Sequence, residues 1–496
     1  MWLNRLSAQC NELPTWARLG VPVFAGVFAS LGQAPFGLPL ISLFGFALAF
    51  PLLGLATTRR GALRMGWLFG LGYFAVTMQW LVSPFLVEPE RHGWMAPFAV
   101  FFMAAGLALF WGLAFALARR IKPWALVLTL PLAELARAYV LTGFPWGMPA
   151  YGLVNSLLGQ GAAWIGSHGL NVVLLGVAFS LFIAISSRSL RRLIGAGVAG
   201  LGILLLWPLP DAGPQSSDPV GTIRLVQPNA PQHQKWDPDY MPIFFDRALS
   251  FTAAEGSPDL ILWPETSVPA SLPGGSFLRE QMSEAAGDTP IVFGINRFED
   301  LRIFNAAVLM DESGALIQIY DKHHLVPFGE YVPFGDFFTR FGFYGMAASE
   351  GRGFTPGAGA MLMDLGQLGR ALPLICYEAV FPQDVGAAPE RPDFLMQITN
   401  DAWFGQFSGP HQQLAQSRMR AIEQGLPMVR AANTGISALI DPQGRVVDAL
   451  PLNEAGFIDV DLPPPNPATL YSQTGEWPIA GFLLVAFLTL RVKRRR

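Results

Sequence analysis

Hydrophobic positions along this chain fall into two textures. As far as residue 209 they form long, nearly unbroken blocks, and beyond residue 220 they form short runs separated by polar segments. A bilayer core of about 30 Å needs roughly 20 helical residues at about 1.5 Å rise each. Blocks of that order lie near 19–34, 38–56, 65–86, 95–118, 124–141, 166–186 and 193–209, with charged or Pro/Gly-rich breaks between them. An eighth block stands alone at 477–492, flanked by Trp477 and Arg491, which suit the two interfaces. The pattern predicts a polytopic α-helical membrane domain of eight spans, seven over 1–209 and a C-terminal transmembrane helix over 477–492.

From 220 to 462 the runs TIRLVQ, LILWPE, PIVFGIN, AAVLMD, LIQIYDK, LPLICYE, FLMQITN and SALIDPQG read as strands. Between some of them, PIFFDRALSFTAAEG, FLREQMSEAAG and GPHQQLAQSRMRAIEQG read as helices. Strands alternating with helices predict one α/β domain with helices on the sheet faces. DAGPQSSDP before it and LPPPNPATLYSQTG after it read as linkers.

Charge sharpens this division. Only 14% of residues are charged and 52% are hydrophobic, against about 25% charged in an ordinary soluble domain. That composition excludes a disordered chain, a coiled coil, a small disulfide scaffold and a nucleic-acid binder of ordinary basic type. Residues 1–209 hold 13 basic and 4 acidic side chains, a charge of +9, so the remainder carries −12 of the total of −3. The basic residues cluster before block one (Arg5, Arg18), between blocks two and three (Arg59, Arg60, Arg64), between four and five (Arg119, Arg120, Lys122) and between six and seven (Arg188, Arg191, Arg192). The positive-inside rule assigns all these loops to the cytoplasm. Seven crossings then put 220–462 outside the cytoplasm, and an eighth returns the RVKRRR tail inside. Glu134 and Arg137, three apart on one predicted helix, fit either a functional intramembrane pair or a structural one near the interface.

The two cysteines, Cys10 and Cys376, lie on opposite sides of the predicted membrane and cannot pair within the chain. Cys376, at the end of the ALPLI run, is either a buried small hydrophobe or a reactive thiol. Glu265 follows the strand-like LILW, where a carboxyl held against Trp263 is desolvated toward the range of a general base. Lys322 follows another strand, with Glu330 eight residues later. Singly, each is most simply a surface charge at a strand end. Together, a Cys, a Glu and a Lys at three strand ends supply a nucleophile, a proton carrier and a cation for an oxyanion. The six His show no metal-ligand spacing, and neither a metal nor an organic cofactor is expected.

WPET with Glu265, YDKHHLVPFGEYVP with Lys322 and ICYE with Cys376 resemble the Glu-Lys-Cys triad of the nitrilase superfamily. Joined to seven preceding spans and one following span, they resemble the bacterial apolipoprotein N-acyltransferases. The resemblance implies an αββα sandwich on the periplasmic side of the inner membrane. It also implies transfer of an acyl chain from a phospholipid, through a Cys thioester, to the N-terminal amine of a diacylglyceryl-modified apolipoprotein. By local match it extends to Gln232 and Trp236 ahead of the triad Glu, to Glu330, Tyr377 and Glu378 beside Lys and Cys, to Gly147 in FPWGMPAYG, and more loosely to Asn305. The partners implied are the phospholipid donor, the apolipoprotein acceptor and membrane lipids, with no nucleic acid and a monomeric enzyme.

Two other classes compete with this reading. One is a membrane-tethered amidase using the same residues on a C–N bond, and the other is a transporter or scaffold with an accessory outer domain. Against the latter, the spans are nearly free of the ionisable groups that coupled carriers place at the midplane. The segment after Lys322 is rich in Phe and Gly without a helical or strand period, and reads either as core filling or as a mobile arm over the active site, including Glu330, Phe341 and Phe343.

Overall fold

The computed structural model describes residues 14–187, 190–210, 218–333 and 353–492. Cys10, Phe341, Phe343 and most of the aromatic segment lie outside the described residues. The chain divides into two units, 1–210 with 468–496, and 211–467.

The first unit is helical. Helices Thr15–Ser30, Pro39–Leu55, Ala96–Arg119, Leu126–Tyr139, Ala162–Ser186, Leu190–Leu205 and Trp477–Val492 fall on seven of the expected blocks. The block expected as one span over 65–86 instead forms Arg59–Thr77 followed by the 3-10 helix Gln79–Leu86, bent by 47°. Arg59 and Arg64, expected in the preceding loop, lie in its first turns, where Thr58 caps the helix through the Gly61 N–H. By length and composition, Pro89–Arg119 and Leu157–Ser186 are each long and apolar enough to cross a membrane, with the bent pair as a third. Glycines let neighbouring helices touch backbone to backbone. A Cβ on Gly26 would stand 1.9 Å from the Phe69 carbonyl oxygen, and one on Gly72 would stand 2.0 Å from that of Val23.

Glu134 and Arg137 do pair. Arg137 Nε and Nη2 reach the two Glu134 oxygens at 3.0 and 2.5 Å, and both side chains are buried. Trp111 Nε1 donates to the same carboxylate at 2.7 Å, and Arg137 Nη1 donates to the carbonyls of Phe144 and Trp146. These bonds tie two helices to the loop preceding Gly147, which is a structural use of the pair.

The second unit is built from two sheets. Strands β1 (Gly221–Gln227), β2 (Leu260–Leu262), β3 (Ser271–Leu272), β4 (Ile291–Glu299), β5 (Arg302–Met310) and β6 (Leu316–Asp321) form the first with the late strand β13 (Gly456–Leu462), in the order β13-β1-β2-β4-β5-β6, with β3 beside β4. Strands β7 (Met363–Asp364), β8 (Arg370–Ile375), β9 (Phe394–Thr399), β10 (Met428–Ala432), β11 (Ser437–Ile440) and β12 (Val446–Leu450) form the second, in the order β12-β11-β10-β9-β8-β7. β1, β2 and β4 run parallel, as do β8, β9 and β10.

Alternation along β1 shows how the layers assemble. Ile223 and Leu225 enter a core shared with Ile375, Met396 and Val429 of the opposite sheet, while Val226 faces outward against Phe245 and Met282 of helices Met241–Thr252 and Ser276–Ala286. Helix Gly409–Gln424 contributes Ala421 to the outer core of the second sheet. Four layers result: helices, sheet, sheet, helices. Arg224, on the outward face of β1, is fully buried because it donates to the carbonyls of Thr252 and Ala254 at a helix end and pairs with Asp459 at 2.7 Å.

Candidate active site

The ends of parallel strands collect loops and ligands in α/β folds, and here they collect the predicted residues. Glu265 follows β2, Cys376 follows β8, Asn400 follows β9, and Lys322 follows β6. The Glu265 turn fits closely against β4. A Cβ on Gly294 would meet the Thr266 nitrogen at 2.4 Å, so only glycine permits this approach.

Glu265 is buried and has its oxygens divided between donors. Asn305 Nδ2 donates to Oε1 at 2.6 Å, the Asn400 backbone N–H donates to Oε2 at 2.7 Å, and Lys322 Nζ stands 3.6 Å from Oε1. Trp263 packs edge-on against Phe245 in the outer core, and the groups bound to the Glu265 carboxylate are polar. Lys322 lies 2.9 Å from Glu330 Oε1. Burial alone would lower its pKa, but Glu330 and Glu265 beside it outweigh burial, so the ammonium is held more firmly than an ordinary lysine.

Glu330 belongs to this cluster itself. It accepts from Asn305 Nδ2 at 3.2 Å and from the Val326 N–H at 2.7 Å, and it is buried. Asn305 therefore bridges both carboxylates.

Cys376 is a free, buried thiol at φ 50°, on a 3-10 turn directly after β8. Burial pushes the thiol up to about 12, and Glu265 adds to this while Lys322 opposes it. The following Tyr377 ring packs against Phe381 and His324. Glu378 closes the turn, accepting from the Ile375, His323 and His324 N–H groups and from the Tyr320 hydroxyl. Its burial would raise its pKa, but His323 outweighs that and keeps the carboxylate ionised. Glu378 thus joins the Cys376 turn to the Lys322 loop, and the two histidines belong to that polar network.

Gln232 Oε1 accepts from Asn400 Nδ2 at 2.9 Å, and Trp236 is exposed with Lys235 Nζ 5.6 Å from its ring centre. Gly147 lies in the helical unit. Its φ is 70°, and a Cβ there would come 2.5 Å from Thr77 Cγ2. Among the described residues, no group of three or more His, Cys, Asp or Glu is placed to hold a metal ion.

A thiol, a carboxylate and an ammonium gathered in one buried site provide the parts for nucleophilic acyl chemistry. Two family models match the chain: residues 25–180 match the apolipoprotein N-acyltransferase N-terminal domain, and residues 222–467 match the carbon-nitrogen hydrolases. An apolipoprotein N-acyltransferase of Rhodopseudomonas palustris is 34% identical, covering 99% of this chain and 98% of its own. One of Caulobacter vibrioides is 37% identical over 95% and 94%. The chain belongs to the apolipoprotein N-acyltransferase family. An amidase from Nesterenkonia sp. of known crystal structure aligns with 54% of this chain and 97% of its own, at 21% identity and a TM-score of 0.39.

Within this family member, a nitrilase-like domain is joined to a helical N-terminal region that carries long apolar helices. Several residues at its site lack a local sequence signal. Lys235 is buried and donates to the Glu265 carbonyl at 3.1 Å and to Thr266 Oγ1 at 2.9 Å. Burial lowers its pKa to about 8, with Glu265 and Cys376 partly opposing. Thr266 sits at φ 45°, so this lysine braces a strained turn. Beneath Cys376, Arg430, Asp401, Gln397, Gln413 and Thr399 are buried. A charged residue inside the apolar run MVRAA is the one cue the sequence offers to this second cluster.

Proposed function

We propose that this protein transfers an acyl chain from a membrane phospholipid to the N-terminal α-amino group of a diacylglyceryl-cysteine apolipoprotein, with Cys376 as the acylated residue. The observation that carries the reading is the convergence of Glu265, Lys322 and Cys376 in one buried site of an acyltransferase-family chain. Glu265 takes the thiol proton, and the Cys376 thiolate attacks the acyl ester carbonyl. The charge on the tetrahedral oxygen is stabilised by Lys322 and a backbone N–H. Collapse breaks the ester C–O bond, and Glu265 returns the proton to the departing lysophospholipid, leaving a thioester. The lipoprotein amine attacks this thioester and gives its proton to Glu265, the C–S bond breaks, and the thiol is re-formed. No metal or organic cofactor enters these steps. Asn305, Glu330, Tyr377, Glu378, Gln232 and Trp236 hold or flank the three groups, and Gly147 serves the membrane unit.

The same reading places the chain as a monomer in the bacterial inner membrane with eight spans, seven within 1–209 and one over 477–492. Short or bent apolar helices supply the spans beyond the long ones, and the basic loops set 220–462 on the periplasmic side. Mass spectrometry of full-length protein incubated with phospholipid vesicles tests the proposal. A thioester-linked acyl group on the Cys376 peptide, discharged by a diacylglyceryl lipopeptide to give an N-acyl product, is expected. Release of free fatty acid without transfer would replace it with the hydrolytic reading.

A further inference from the structure

Beneath Cys376, one guanidinium sets the orientation of two amides. Arg430 Nη1 donates to Gln397 Oε1 at 2.7 Å, and Ser417 Oγ donates to the same oxygen at 2.6 Å. Arg430 Nη2 donates to Gln413 Oε1 at 2.8 Å, and Thr399 Oγ1, whose proton goes to Asp401, lies 3.3 Å from that oxygen. An amide whose oxygen is occupied by donors must present its NH2 group on the other side. Gln397 Nε2 accordingly donates to the Cys376 carbonyl at 3.1 Å, and Gln413 Nε2 donates to Cys376 Sγ at 3.6 Å. Asp401, 2.6 Å from Arg430 Nη2 and bound by the Thr399 hydroxyl, fixes the guanidinium from below, and the Ile436 carbonyl accepts from its Nε. Arg430, Asp401, Gln397, Thr399, Ser417 and Gln413 are all fully buried.

We propose that Gln413 is a catalytic hydrogen-bond donor to the nucleophilic sulfur, and that Arg430 is the positioning residue that fixes it and, through Gln397, holds the Cys376 backbone in its left-handed conformation. This rests on Cys376 being the acylated residue. A plain core network would satisfy its own polar groups. This one spends two of its amides on a single residue, one on its main chain and one on its sulfur. The donor favours the thiolate over the thiol, and it later favours departure of the sulfur from the thioester intermediate.

The charged groups around this sulfur are Glu265 after β2, Lys322 after β6, Asp401 after β9, Arg430 on β10 and Lys235 of the short helix Gln232–Lys235. Substitution of Gln413 leaves all of them in place. The test measures the initial rate at which iodoacetamide alkylates the Cys376 peptide of the full-length protein, as a function of pH, for wild type and Gln413→Leu, Gln413→Glu and Gln413→His. Leucine removes the donor and glutamate reverses it while keeping a partner for Arg430. Histidine restores a donor and leaves its second nitrogen for Arg430. Because burial already pushes the Cys376 thiol up to about 12, the rates are compared between about pH 7 and pH 9.5, below the midpoint, and loss of one hydrogen bond to a charged group predicts labelling about tenfold slower in Gln413→Leu at each pH. Gln413→Glu should be slower still, and Gln413→His should recover most of the rate. Leu and Glu rates equal to wild type, or a Gln413→His rate as slow as that of Gln413→Leu, would overturn the proposal. Failure of wild-type Cys376 to accept an acyl group from phospholipid would instead reject the reading on which it rests.

Discussion

Lys235 gives the sharpest quantitative expectation. Its ammonium is buried between the Glu265 carbonyl and Thr266, and its pKa falls from 10.5 to about 8 because burial penalises the charged form. Below pH 8 both folded and unfolded chains hold the proton, and the fold bears the full penalty. Between pH 8 and 10.5 the unfolded chain keeps the proton that the folded chain releases, so stability rises with pH. The difference of about 2.5 in pKa corresponds to about 3 kcal/mol over that window. Lys235→Met keeps the side-chain length and removes the titration. Thermal melts of full-length wild type and variant in detergent, at pH 7.5 and pH 10, isolate this term as a difference of differences, since all other titrating groups are shared. At about 2–4 °C per kcal/mol for a unit of this size, the wild-type midpoint should respond to alkali by roughly 5–10 °C more than the variant. The same pH response in both proteins would refute the argument that this amine is buried at a cost.

Further outcomes follow from the site and from the helical unit. Glu265→Gln and Lys322→Ala should each slow single-turnover acylation of Cys376 by about 10²–10³, with only Glu265→Gln blocking proton removal from the thiol; wild-type turnover by either would remove that residue from the mechanism. Glu330→Gln takes the 2.9 Å counter-charge from Lys322 and leaves the ammonium to Glu265. Acylation should fall at least tenfold in single-turnover measurements, and an unchanged rate would remove Glu330 from the support of Lys322. Gly147→Ala forces a Cβ to 2.5 Å from Thr77 at positive φ, so it should lower the melting midpoint by a cost of about 1–3 kcal/mol; an unchanged midpoint would mean that the loop relaxes freely.

How much of this was legible depended on whether a residue's neighbours in sequence resembled its neighbours in space. The strand runs PIVFGIN, AAVLMD and FLMQITN are mostly apolar because both faces of their sheets are covered, whereas TIRLVQ carries the buried Arg224 and LIQIYDK is an edge strand with Ile317 and Ile319 exposed; each became a strand. Strand β10 carries Arg430 at its centre, and β13 alternates with exposed acids, so neither shows such a run. Helix Gly409–Gln424 reads as a solvent-exposed polar helix. Gln413 and Ser417 are buried because their partners come from strands β10 and β9, distant in sequence, and Arg420 is buried in a pair with Glu423 of its own helix. Glu265, Lys322 and Cys376 were legible because each ends an apolar strand within a specific motif. Lys235 was not, since it sits on a four-residue helix where burial comes wholly from the Glu265 turn thirty residues later.

The pairing of β1 with β13 has a consequence for biosynthesis. Gly221 lies opposite Leu462, so the first and last strands of the second unit are neighbours in an antiparallel register. On a ribosome adding about 5–20 residues each second, β1 is made many seconds before its edge partner exists. Until then its hydrogen-bonding groups face an open sheet edge, the kind of edge that invites pairing with foreign chains. The final strand emerges only as the last apolar helix, Trp477–Val492, is about to follow. Completion of this sheet therefore waits until nearly the whole of the second unit has been made, and any truncation before residue 456 leaves β1 as an exposed template for aggregation.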